Sequence, residues 1–86
     1  MTRVHTHNFV EEYDGFVGFG MDREIDEHTL TYYLQKFSDD ELMRTLKERI
    51  TDTEILEVVD LIHRLMLCHF SEDEYHRLFL KDNHGH

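Results

Sequence analysis

Proline and tryptophan are missing from this 86-residue chain, and there is one cysteine. A single Cys cannot close an internal disulfide or form the paired C-x-x-C of a zinc or redox motif, so nothing points to an oxidising compartment. With no Pro-, Gly- or Ser-rich tract there is no linker, and residues 1–86 read as one domain. No run approaches the roughly 20 apolar residues that span a bilayer. The N-terminal MTRVHTHNFV lacks the apolar core of a secretory signal, so a cytoplasmic location is expected.

Basic residues are scarce as well. Nine Lys and Arg stand against 19 Asp and Glu, a formal charge of −10. Chains that grip phosphates present Lys and Arg, so direct nucleic-acid binding is not expected, and an anionic membrane would repel the chain. A basic partner or a cation fits the charge better. The plainer account is that acidity keeps a small protein soluble.

The common catalytic signatures are missing too. There is no G-x-S-x-G, no EF-hand spacing and no C-x-x-C-H. Gly15, Gly18 and Gly20 are not followed by the Gly-Lys-Ser/Thr of a phosphate loop. The pairs Glu11-Glu12, Asp26-Glu27 and Asp39-Asp40 could serve as acid and base, but no nucleophile, base and orienting group can be named together. An enzyme is not expected.

What the chain does have is 40% apolar residues, too many for a disordered segment. It also repeats one local motif three times. Ser38-Asp39-Asp40-Glu41, Thr51-Asp52-Thr53-Glu54 and Ser71-Glu72-Asp73-Glu74 all read S/T-x-x-E. The hydroxyl of such a box accepts from the N3 amide and the Glu returns to the cap amide, while the extra acids suit the positive end of the helix dipole. Each box precedes apolar residues at helical spacing. Upstream, Leu30, Tyr33, Leu34 and Phe37 form a fourth stripe, with Asp22 or Asp26 as its cap. The expected fold is mainly α: a small bundle of about four helices near 26–37, 39–50, 52–70 and 72–82. An N-terminal hairpin or irregular arm (1–21) precedes the bundle (22–83), and a frayed tail (84–86) follows. Asp14-Gly15 between apolar residues is the hairpin signal; Gly18 and Gly20 weaken its second strand.

The 39–50 helix carries one narrow stripe, Leu42, Met43, Leu46 and Ile50, and should bury that face. The 52–70 helix is apolar around most of its circumference. Glu57, Asp60 and Arg64 make a compact polar strip, on which Asp60 and Arg64 can pair at i, i+4. Such a helix must be covered on several sides, by its own chain or by another. The sharp corner between these two helices resembles a helix-turn-helix in outline, but its reading helix would present Asp52 and Glu54 to phosphates.

Two groups of residues are candidate sites. The aromatic residues Phe16, Phe19, Tyr32 and Tyr33, with the 52–70 helix, are candidates for partner contact; the competing assignment makes them core. The second group is the histidines, eight in number. His5 and His7 near one end and His84 and His86 near the other form H-x-H pairs. Cys68, His69 and His76 gather around the last interhelical turn, with Glu72 and Asp73 between them. Imidazole and thiolate suit zinc or nickel, although no spacing matches a zinc signature. Cys68 beside His69 could form a nucleophile, but its apolar neighbours favour a buried, inert thiol.

The expected function is therefore a small acidic helical module that binds a protein partner or forms a homodimer, with no catalysis of its own. The alternatives are a His-based divalent-metal binder and an acidic decoy of a nucleic-acid-binding protein.

Overall fold

The computed structural model describes residue 5 and residues 7–82. The chain is mainly α, with no strand among the described residues. The helices are α1 (Asn8–Glu12), α2 (Arg23–Phe37), α3 (Asp40–Lys47), α4 (Asp52–His69) and α5 (Glu72–Glu74). The last runs straight on as a π-helix, Tyr75–Leu80. The described residues form two compact units, 7–49 and 50–82, with residue 5 in the second.

In the 7–49 unit, Asp22 caps α2 by accepting from the Ile25 amide at 2.8 Å. The helix thus begins a turn earlier than the stripe from Leu30 requires. Asp26, the other candidate cap, instead accepts from the Gly20 amide at 2.9 Å. α1 lies on α2. Phe9 stacks on Tyr13 and on His28, with centroids 4.9 and 5.6 Å apart, and the Val10 amide donates to Gln35 Oε1 at 2.9 Å.

The hairpin alternative is not what forms. Residues 8–12 are helical and residues 13–22 make an irregular arm. The physical reason lies in the glycines. They offer no side chain to pack across a strand pair, and the amides of Gly18 and Gly20 bond to side chains of α2. Gly20 adopts φ +91°, a left-handed conformation that side chains resist.

α3 is capped one residue later than the S/T-x-x-E pattern implies. Asp39 Oδ2 accepts from the amides of Glu41 and Leu42, while Ser38 closes α2 and donates to the Gln35 carbonyl. The other two boxes form in full. Thr51 Oγ1 accepts from Glu54 N at 3.1 Å and Glu54 Oε1 from Thr51 N at 3.0 Å. Ser71 Oγ accepts from Glu74 N at 3.2 Å and Glu74 Oε1 from Ser71 N at 2.8 Å. The π-helix ends at Lys81, which is left-handed at φ 59°. The frayed tail expected at 84–86 lies outside the described residues.

Burial departs most from expectation. Among the described residues Thr29 is buried, and no hydrophobic residue is. The stripe of α3 is at best half-covered, with Leu42 exposed and Met43, Leu46 and Ile50 intermediate. Asp60 and Arg64 form no ion pair; water competes well with so exposed a pair.

Candidate interaction site

Within the 50–82 unit a groove of about 710 Å³ opens between α4 and the π-helix. Two local features build it. Val59, Ile62, Met66 and Phe70 recur at i, i+3, i+7 and i+11, so they fall on one side of α4. Then extended Phe70 and the capped Ser71 alone separate α4 from α5. So short a connection returns the chain beside the helix it has left, and Tyr75 and Phe79 supply the second wall. Their rings stack at 5.4 Å, nearly parallel at 12°. His63, Ser71 and Glu72 add polar groups to an otherwise apolar lining.

The groove is part of a wider open surface. Every large aliphatic of α4 except Met66, which is half-covered, is exposed, Leu56 at 62% and Leu67 at 86%. Among the described residues of the 50–82 unit, nothing closes this helix from solvent. The cover that the sequence requires for α4, from its own chain or from another, is not supplied within the 50–82 unit.

The aromatic candidates lie in the other unit and do not make one cluster. Phe16, Phe19 and Tyr33 are more than half exposed. Phe19 meets Tyr33 edge-on at 5.3 Å. Tyr32 is half-buried, with Tyr13 at 5.9 Å and the Lys36 ammonium 5.1 Å from its ring centre. The Phe16 carbonyl accepts from the Tyr13 hydroxyl at 2.7 Å. Assignment of all four as core does not hold, since none is buried.

The metal candidates are similarly scattered. His7 Nε2 lies 3.3 Å from Ser38 Oγ, and His5 and His69 are exposed. Cys68 is a free, exposed thiol, not the buried one expected; it faces outward because α4 has no cover there. His76 Nδ1 is 3.1 Å from Asp82 Oδ1, across the end of the π-helix. His84 and His86 lie outside the described residues. Among the described residues no three His, Cys, Asp or Glu come together in a group that could hold a metal ion. None of the described helices is long and apolar enough to cross a membrane.

Sequence reasoning finds one wall of the groove through the apolar circumference of α4, and it finds Tyr75, Leu78 and Phe79 as the apolar face of the last helix; it does not find that Tyr75 and Phe79 face α4 across a groove. Tyr75 and Phe79 stand at i, i+4, which was signal enough for a shared face. The π winding that positions them leaves no residue pattern of its own. Compared with protein-family models, curated proteins and solved structures, the chain matches none.

Proposed function

We propose that this chain is a small, acidic, helical protein-interaction module without catalytic activity of its own, working in the reducing cytoplasm that its one exposed thiol suits. One observation carries the reading: the large apolar side chains of α4 stay partly exposed on several sides of the helix, Leu56 and Leu67 by more than half. Full burial of one large aliphatic side chain contributes roughly 1.5–3 kcal/mol. The exposed fractions on α4 thus leave on the order of 10 kcal/mol of burial unrealised, as much as the roughly 5–15 kcal/mol that hold a whole domain folded. A single exposed Leu is ordinary; a helix open on several sides is the mark of an interface.

The test is retention of protein from native lysate on immobilised chain, washed at high salt, with wild type compared with Ile62→Asp. A carboxylate at the floor of the groove should abolish retention of any partner that binds there by apolar contact. A partner held by wild type and lost with Ile62→Asp supports the reading. The reading fails if wild type retains nothing and shows no self-association.

A further inference from the structure

The groove of the 50–82 unit is apolar along its floor and acidic at its ends. Its lining includes Glu72 and no Lys or Arg. At about 100° per residue, Asp52 continues the line of Val59 and Met66 toward the start of α4. Asp60 falls beside Leu67 at the edge of the groove, and Arg64 is turned further round. Arg77 stands midway between Tyr75 and Phe79, on the side of the π-helix away from their shared face. Asp52, Asp60 and Glu72 make no ion pair with a described residue. Residues 50–82 hold eight Asp and Glu against three Lys and Arg, so the surroundings of the groove carry the same sign as its ends.

The shape selects the occupant. A small-molecule site encloses most of its ligand. This groove is an open trough, on whose walls Leu67, Phe70 and Phe79 stay exposed. A docked helix needs only one stripe covered, at i, i+3, i+4 and i+7. From Val59 to Phe70 the floor follows α4 for about 16 Å, the length of three turns of a partner helix. Met66 in that floor is unbranched and fits itself to irregular apolar surfaces.

Charge then narrows the partner. We propose that the groove seats an amphipathic helix of a partner protein, with an apolar stripe of about three turns flanked by Lys or Arg. The apolar stripe lies on Val59, Ile62 and Met66, and the cations meet Glu72 at one end, Asp52 at the other and Asp60 along the flank. Opposite charges steer such a helix to its seat. A helix with acidic flanks meets like charge at the same three places and is refused. The inference rests on the reading of the chain as an interaction module and names the chemistry of its partner.

The experiment is fluorescence anisotropy of labelled synthetic helices titrated with the full chain at about 0.15 M salt. Three peptides of equal length are compared: a Leu/Lys helix with Leu at i, i+3, i+4 and i+7, its Leu/Glu counterpart, and a Leu/Lys peptide whose Leu residues are scattered around the helix. Wild type should bind the first at least tenfold more tightly than either control. Ile62→Asp puts a carboxylate under the apolar stripe and should abolish binding. Glu72→Lys and Asp60→Lys should each weaken it about fivefold. Asp60 is an exposed position within α4, so its reversal stands as a test even if Glu72→Lys disturbs the start of α5, and circular dichroism checks the helicity of each variant. Binding that ignores the placement of Leu, or survives Ile62→Asp, overturns the groove as the seat. Equal binding of the Leu/Glu helix, or an affinity that neither reversal changes, overturns the basic partner. A dimer in sedimentation equilibrium that Ile62→Asp dissolves puts a second copy in the groove and overturns it too. A lysate partner held through Ile62 that the Leu/Lys helix does not displace overturns this inference and leaves the interaction module standing. A chain that retains no lysate partner, does not self-associate and binds no helix overturns both.

Discussion

The hydroxyl of Thr29 closes on both backbone groups of Gly18, accepting from its amide at 3.1 Å and donating to its carbonyl at 2.9 Å. Thr29 is fully buried, so the clasp works where water does not compete. It fastens the irregular arm to the middle of α2. Thr29→Val keeps the shape of the side chain and removes both bonds, leaving the amide and carbonyl of Gly18 unsatisfied. Urea denaturation should show a loss of about 1–3 kcal/mol. An unchanged midpoint would mean that the arm is not held there.

Gly20 is two residues further along the same arm, at φ +91° with open space where a Cβ would go. Gly20→Ala should therefore act through backbone strain alone. The expected cost is about 1–2 kcal/mol, read from the same denaturation curves. A neutral result would show that the arm can take another path without loss.

The caps give a sharper contrast. Thr51→Ala and Ser71→Ala each remove a side-chain acceptor from a complete box and should cost about 1 kcal/mol. Ser38→Ala should cost much less, because the carboxylate of Asp39 serves the amides of α3, and Asp39→Ala should match the first two. If Ser38→Ala proves as costly as Thr51→Ala, the cap of α3 has been misplaced by one residue.

Lys81 holds a left-handed backbone at φ 59°, where its Cβ is unfavourable. Glycine is the usual residue at such a helix end. Lys81→Gly should raise stability by about 0.5–1 kcal/mol, seen as a higher thermal midpoint. A lower midpoint would point to a stabilising role for the ammonium near the C-terminal carbonyls.

The parts of the fold that could be read from residues alone are the local ones. Thr51 and Ser71 meet their Glu partners three residues on, and nothing distant can alter that. At 38–41 two cap-forming residues stand side by side, and Ser38 is taken up in closing α2, which leaves Asp39 to cap α3. The arm was harder. Asp14-Gly15 is a local turn signal, but a hairpin needs a second strand, and Thr29 claims the backbone of Gly18 from eleven residues away. The apolar circumference of α4 was legible in its composition and the face of Tyr75 and Phe79 in their i, i+4 spacing, whereas their meeting across a groove depends on a π winding without a sequence signature. Ligand sets such as Cys68, His69 and His76 depend on approach in space, and adjacency in the chain does not supply it.

The exposure of Leu56 and Leu67 bears finally on how much of this protein a cell can hold. A chain with its apolar side chains in solvent offers chaperones and proteases the same feature by which they recognise an unfolded one. On the proposed reading, copies bound to a partner would be shielded and copies made in excess would not. If the chain is the interaction module proposed above, its abundance should follow that of its partner without a separate degradation signal.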